Sequence, residues 1–187
     1  MLDETATATL GPDEVRALVR EEVRTALERD RAARRATFIA SKGTLDWAYP
    51  PLILATTAAA SGMETAVFFT FYGLNIIHRD FERKLKIDPV GNPAMPMPVH
   101  VPDLLTAMPG MVPMATAMMK RRFAGHNVAT IGELLDAARD TGVRLIACQM
   151  TMEVFGYDEH EFVEGVEFGG AAAFLSQARR GHVTLFV

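Results

Sequence analysis

The sequence predicts an α/β fold, with about five mainly parallel strands in one sheet and helices on both of its faces. The first observation is residues 65–71 (TAVFFTF), a continuous apolar run without alternation, which is typical of a strand buried on both faces. The second is residues 143–148 (VRLIAC), a strand-like run that ends at the only cysteine among 187 residues. The third is the alternation of such runs with helical patterns, because strands separated by helices form parallel sheets.

Local signals give the order of the elements after residue 36. Strands are predicted over residues 37–40, 65–71, 143–148, 166–168 and 182–187. Helices are predicted over residues 45–61, 111–123, 131–141 and 171–180. Thr130 and Glu133 have the spacing of a capping box, which supports a helix start at Ile131.

Residues 1–35 are predicted to form a tail and an amphipathic helix outside the main domain, which spans residues 36–187. Apolar residues recur at helical spacing from Pro12 onward, and charged residues occupy the opposite face. The apolar positions are Val15, Leu18, Val19, Val23, Ala26 and Leu27. This narrow stripe fits packing against another subunit, but packing against its own domain explains the pattern equally well.

Residues 73–113 are the least regular part of the sequence, because seven prolines interrupt any long element there. A short helix is predicted within residues 77–86. Methionines are unusually frequent in this stretch and in the helix after it; they are Met95, Met97, Met108, Met111, Met114, Met118 and Met119. They fit the filling of an irregular core, or the lining of a pocket or a subunit interface. With the N-terminal stripe, they predict a homo-oligomer, a trimer or tetramer rather than a dimer.

Composition argues against several classes of function. The net charge of −4 and the short basic runs at residues 120–122 and 179–180 do not suit nucleic acid binding. One cysteine forms no internal disulfide, and no cluster of Cys and His offers a metal site. The uncharged residues 47–63 and 65–77 fall short of the roughly 20 residues of a membrane-spanning helix. The opening residues lack the apolar core of a secretory signal, so a reducing cytoplasm is predicted.

Cys148 is the candidate catalytic residue, because a strand that ends there delivers its side chain to the edge of a sheet. A helix that starts just beyond, near Thr151, would point its unpaired N–H groups toward the sulfur and favour the thiolate. A thiolate is a nucleophile, and it can attack another molecule only when its sulfur atom is exposed. A second interpretation stays open, since most free cysteines are small apolar core residues.

Other candidate residues follow the predicted strands at the same edge of the sheet, where ligands of α/β proteins bind. Glycines there would leave room for a ligand, and a lysine would supply a cation. The predicted binding residues are Lys42, Gly43, Thr44, Gly73, Gln149, Gly169 and Gly170. Neither a GxGxxG motif nor a Walker pattern is present, so nucleotide binding is not predicted.

Residues 147–156 (ACQMTMEVFG) resemble the cysteine motif of the DsrE/DsrF-like family of sulfur-relay proteins. Alanine, cysteine, two spaced methionines, an acid and a glycine recur in that motif. Four other stretches resemble the family in the same order: residues 41–46 (SKGTLD), 68–74 (FFTFYGL), 165–171 (GVEFGGA) and 183–187 (VTLFV). The resemblance covers the chain from about Ala36 to Val187 and leaves residues 1–35 outside it.

The resemblance implies a three-layer, Rossmann-like or flavodoxin-like domain that works as a homo-oligomer. It implies that Cys148 accepts sulfane sulfur as a persulfide, with rhodanese-like sulfurtransferases and TusA-like carriers as partners and without a metal or an organic cofactor. This chain has no second cysteine, which argues against a relay of sulfur between two cysteines of the same chain. Two alternatives stay open: an oligomeric binding or scaffold protein with an inert cysteine, and a one-cysteine thiol peroxidase.

Overall fold

Five parallel strands form one sheet in the part of the chain that the structure describes. The structure is a computed structural model, and it describes residues 11–88, 110–179 and 181–187, with the backbone alone for residues 29–33. The strands are β1 (Arg35–Ala40), β2 (Glu64–Phe69), β3 (Arg144–Cys148), β4 (Val166–Gly169) and β5 (Val183–Phe186). Their order is β4-β3-β2-β1-β5, and each neighbouring pair is parallel. The predicted parallel sheet of about five strands is confirmed.

Helices cover both faces of the sheet and give the predicted three layers. They are α1 (Pro12–Ala33), α2 (Leu45–Ala60), α3 (Phe81–Lys84), α4 (Met111–Gly125), α5 (Ile131–Asp140), α6 (Gln149–Phe155) and α7 (Ala171–Ala178). Short 3₁₀ helices lie at Phe71–Ile76 and Glu159–Glu161. The main core lies on one face of the sheet, under α2 and α5, and a smaller cluster lies under α7 on the other face. In the described ranges, no helix has the length and apolar content that a membrane span requires.

Local signals explain where several elements begin. Residues 65–69 of β2 are all buried, which accounts for the unbroken apolar run. The predicted capping box starts α5: Thr130 Oγ1 accepts the Glu133 N–H at 3.2 Å, and Glu133 Oε2 accepts the Thr130 N–H at 2.7 Å. The helix α2 continues through Pro50 and Pro51 in its first turns, as predicted.

Two predictions around residues 65–86 are wrong in their bounds. The strand predicted to reach Phe71 ends at Phe69, because Phe71 has a positive φ of 47° and starts a 3₁₀ helix. The helix predicted within residues 77–86 is reduced to the four residues of α3. Residues 89–109 lie outside the described residues, and with them Met95, Met97 and Met108 of the predicted irregular stretch.

The sheet face toward α7 has a charged half and an apolar half. Where the strands begin, Arg35 pairs with Glu64 at 2.7 Å, and Arg144 donates two hydrogen bonds to Glu167, at 2.8 and 2.6 Å. Further along the same strands, the side chains on this face are apolar and contact α7. The cover that α7 provides is therefore centred on the carboxyl half of the sheet, next to Cys148.

We expect the protein to lose stability at acid pH because its paired glutamates are ionised in the folded state. Hydrogen bonds from Arg144 lower the pKa of Glu167, and hydrogen bonds from the backbone N–H groups of Thr130 and Asp158 lower the pKa values of Glu133 and Glu161. A carboxyl group with a lowered folded-state pKa stabilises the fold above its unfolded pKa, and this contribution is lost as the pH falls through the folded value. The urea concentration at the unfolding midpoint should therefore decrease as the pH drops below about 4.5. The decline should be shallower in Glu167→Gln, whereas Glu164→Gln removes a carboxyl group outside the Arg144–Glu167 pair and should keep the wild-type slope. An identical decline in Glu167→Gln and the wild type would contradict this account.

Candidate functional site

Cys148 lies at the carboxyl end of β3, at the predicted edge of the sheet. It is the last residue of the strand and the N-cap residue of α6. The helix predicted to start near Thr151 therefore starts earlier, at Gln149. Cys148 pairs with Gly169 of β4, and β2 lies on the other side of β3. The first N–H groups of α6 thus follow directly on the residue that carries the sulfur.

The side chain of Cys148 is buried, with 5% of its surface exposed. It belongs to an apolar cluster with Ala66, Phe68, Ile146 and Phe174. Phe174 comes from α7, and its ring stacks on that of Phe68 with the ring centroids 5.2 Å apart. The prediction of an exposed thiol is therefore wrong for this conformation, because α7 packs over the ends of the central strands.

Lys42 and Thr44 follow β1, which is two strands away from Cys148. At the usual strand spacing the ends of β1 and β3 are about 10 Å apart. The ammonium group of Lys42 lies over the Trp47 ring, 3.4 Å from its centroid, where a cation–π interaction stabilises it. The hydroxyl of Thr44 donates to Asp46 Oδ1 at 2.6 Å. Both side chains thus have partners at the start of α2, and their part in ligand binding stays a prediction.

Gly43 and Gly73 lie where two backbone segments meet at this edge. A Cβ atom at Gly73 would lie 2.1 Å from the carbonyl oxygen of Ala40, and one at Gly43 would lie 2.1 Å from that of Tyr72. Glycine is therefore required at both positions by packing within the chain. The room that the sequence suggested for a ligand is filled by backbone at these two positions, and a binding role for them stays a prediction.

Three predicted binding residues lie in the segments next to Cys148. Gln149 is exposed at the start of α6. At Gly169, a Cβ atom would lie 3.1 Å from the Cβ of Ala173, so glycine lets α7 approach the strand closely. At Gly170, the position of a Cβ atom has no neighbour within 4 Å among the described residues. The open space at this edge thus lies beside Gly170, and binding there stays a prediction.

Two threonines connect the ends of β2 and β3. Thr151 Oγ1 lies 3.1 Å from Thr70 Oγ1 and accepts the Phe71 N–H at 3.3 Å. Thr151 is almost fully buried, so this pair is a polar link inside the edge. It holds Phe71 in a left-handed conformation, which is costly for a residue other than glycine. The sequence did not predict this link, because only the pairing of β2 with β3 shows that the two threonines meet.

Apolar side chains are exposed in the segments that follow β2 and β3. Phe71 and Tyr72 follow β2, Met150 and Val154 lie one turn apart on α6, and each of the four is more than half exposed. The Tyr72 ring lies 5.5 Å from that of Phe155, so the two segments are in contact. We call these four exposed residues the apolar rim. Clustered exposed apolar side chains are typical of surfaces that bind other proteins.

Other candidate sites lie away from Cys148. A cavity of about 240 Å³ on the opposite face is lined by residues of α2, α3, α4 and α5, including Tyr49 and Lys120. Burial and the charge of Glu133 raise the pKa of Tyr49. Among the side chains that the structure describes, no group of three or more His, Cys, Asp or Glu is arranged to hold a metal ion. The cavity and Cys148 therefore lie on different faces of the sheet.

Solved structures align with this chain over most of its length at low identity. MTH1491 from Methanobacterium thermoautotrophicum, a protein of unknown function, aligns at 14% identity with a TM-score of 0.45, covering 82% of this chain and 99% of that one. The ychN protein from E. coli aligns at 10% identity with a TM-score of 0.46, also covering 82% of this chain and 99% of that one.

Sequence comparisons give closer relatives. The chain is 47% identical over 158 residues to the sulfur carrier protein DsrE2 of Allochromatium vinosum, covering 82% of this chain and 98% of the relative. It is 32% identical over 160 residues to the uncharacterized protein YrkE of Bacillus subtilis, covering 82% of this chain and 97% of the relative. Residues 32–186 match the model of the DsrE/DsrF/DrsH-like family. The resemblance found in the sequence is therefore confirmed, and this chain belongs to the DsrE/DsrF/DrsH-like family.

Proposed function

We propose that this protein is a sulfur carrier that holds sulfane sulfur as a persulfide on Cys148 and passes it to a thiol of a partner protein. The main support is the position of the chain's only thiol at the carboxyl end of β3. The domain around it is 47% identical to a protein named as a sulfur carrier. One thiol suffices for this function, since a carrier holds one sulfur and releases it to another molecule.

The proposed transfer exchanges one S–S bond for another, so it involves no net oxidation or reduction. The Cys148 thiolate attacks the terminal sulfur of a donor persulfide. The donor's S–S bond breaks, the donor leaves as a thiolate, and the new bond joins Cys148 Sγ to the transferred sulfur. A thiolate of the acceptor then attacks that terminal sulfur, and Cys148 leaves as a thiolate.

The apolar rim supports transfer between proteins. Phe71, Tyr72, Met150 and Val154 are exposed in the segments that flank the buried sulfur. A partner that covers them would bring its own thiol to the end of β3 and exclude water from the reaction. Rhodanese-like sulfurtransferases as donors and TusA-like carriers as acceptors are the partners that we propose. We also propose a homo-oligomer in the reducing cytoplasm, where a single thiol is not lost to stable disulfides.

The burial of Cys148 supports a competing function, that of a binding or scaffold protein with an inert cysteine. A thiol that is 5% exposed reacts only when the residues above it move. A carrier therefore needs α7 to open, whereas a scaffold does not. This difference makes the reactivity of Cys148 in the folded protein the deciding measurement.

Intact mass spectrometry tests the proposal directly. The reduced protein is incubated with polysulfide, or with a rhodanese that has first been loaded with persulfide. We expect a gain of one sulfur or more that a reductant removes, and no gain in Cys148→Ser. No adduct with either donor, together with slow alkylation of Cys148, would support the scaffold. Rapid turnover of peroxide without sulfur loading would support the one-cysteine peroxidase.

A further inference from the structure

The helix α1 carries an apolar stripe that the rest of the described chain leaves uncovered. Its side chains are about half exposed: Val15 (44%), Leu18 (52%), Val19 (55%), Val23 (52%) and Leu27 (59%). Neither hydrophobic cluster in the described part of the protein includes a residue of α1. Packing of this stripe on its own domain, one of the two alternatives that the sequence left open, is therefore not seen among the described residues. The family match starts at residue 32, so nearly all of α1 lies outside it.

The helix α1 connects to the sheet at the edge opposite the sulfur site. The helix ends at Ala33, and β1 begins at Arg35, so α1 joins the sheet at its amino-terminal edge. Cys148 lies at the carboxyl end of β3, at the opposite edge of this parallel sheet. The α1 stripe and the apolar rim share no residue, so a contact made through the stripe does not use the rim.

The charges along α1 identify a second copy of the same helix as its partner. Residues 12–22 contain four acids and two arginines, whereas residues 23–33 contain three arginines and two acids. The first half of the helix is thus acidic and the second half is basic. Two copies side by side in the same direction would place like charges together, whereas two antiparallel copies place the acidic half of each beside the basic half of the other.

We propose that α1 pairs antiparallel with α1 of a second copy of this chain, through Val15, Leu18, Val19, Val23 and Leu27. In this arrangement Val19 of one copy faces Val23 of the other, and Val15 faces Leu27, so the stripe covers itself about a twofold axis. This inference rests on the homo-oligomer of the proposed function and identifies one of its contacts. It does not depend on persulfide chemistry.

Light scattering on the full chain tests the pairing. We expect Val19→Glu to halve the mass of the wild-type assembly at micromolar concentration, because a charge in the centre of the stripe opposes its burial. Ala17→Glu is the matched control. It adds the same charge on the opposite side of the helix, so it should leave the mass unchanged. Both variants should keep the helical content of the wild type, which circular dichroism measures. A wild-type mass of one chain, 20.5 kDa, or an unchanged mass in Val19→Glu, would overturn the proposal.

Disulfide trapping tests the direction of the pair. Because Cys148 is the only cysteine, the Cys148→Ser background allows cysteines to be placed on α1 alone. Val19→Cys co-expressed with Val23→Cys should give a mixed disulfide, and neither variant alone should cross-link. Cross-linking of each variant with itself would overturn the antiparallel direction. Sulfur loading of Cys148 is measured separately in Val19→Glu. Failure of sulfur loading would contradict the carrier function without affecting the mass result, and an unchanged mass would contradict the pairing without affecting the carrier function.

Discussion

Gly73→Ala is expected to lower the free energy of unfolding by about 3 kcal/mol or more, because the added methyl group overlaps backbone atoms, which cannot move aside as a flexible side chain can. The added Cβ atom would lie 2.1 Å from the carbonyl oxygen of Ala40 and 2.7 Å from its carbon. That oxygen already accepts the Thr70 N–H at 3.0 Å, and the Gly73 N–H donates to the carbonyl of Ser41 at 3.1 Å. Neither segment can retreat without breaking these hydrogen bonds. Urea unfolding at pH 7 measures the loss as a shift of the midpoint.

Gly125→Ala is the control for this substitution. Gly125 lies in the last turn of α4, and among the described residues no atom outside its chain neighbours and the backbone of α4 lies within 4 Å of where its Cβ would be. Alanine is the better helix former, so this variant should match or exceed the wild-type stability. A loss of less than about 1 kcal/mol in Gly73→Ala would show that the edge of the sheet relaxes, and would contradict the packing account.

The strands could be predicted because their signals are local. The unbroken apolar run in β2 predicted a strand buried on both faces, and the run that ends at Cys148 predicted a strand whose last residue lies at the edge of the sheet. The start of α5 was equally visible, since Thr130 and Glu133 form its capping box within four residues of sequence. Alternation of such strands with helices then sufficed for a parallel sheet, and for the arrival of several chain segments at one edge.

The details of the candidate site could not be predicted, because they depend on contacts between distant segments. Cys148 is buried in a cluster that includes Phe174, and Phe174 joins that cluster only because α7 crosses the sheet. An exposed thiol and a buried one have the same sequence around them. Similarly, a glycine at position 43 or 73 predicts close approach, but the sequence does not say whether a ligand or the chain's own backbone approaches.

Phe174→Ala is expected to accelerate alkylation of Cys148 in the folded protein by about 10- to 100-fold. Truncation of a buried phenylalanine costs about 3–5 kcal/mol. Phe174 is the only buried residue of α7, and it stacks on Phe68 in the apolar cluster that contains Cys148. If about half of that cost falls on the local closure of α7, the fraction of molecules with an accessible sulfur rises by the stated factor. The rate is measured with a thiol reagent in excess, and the chain's single cysteine makes the signal unambiguous.

Leu175→Ala is the matched control, because Leu175 lies beside Phe174 on the same helix but is 60% exposed. Both substitutions keep good helix formers in α7, so only the loss of the buried ring distinguishes them. Leu175→Ala should react at the wild-type rate. Phe174→Ala must also unfold cooperatively at a urea concentration well above that of the assay, which excludes global unfolding as the cause. Equal rates in all three proteins would mean that Phe174 does not control access to the sulfur. A faster rate confined to Phe174→Ala, with faster persulfide loading, would identify α7 as the cover that a sulfur donor must displace.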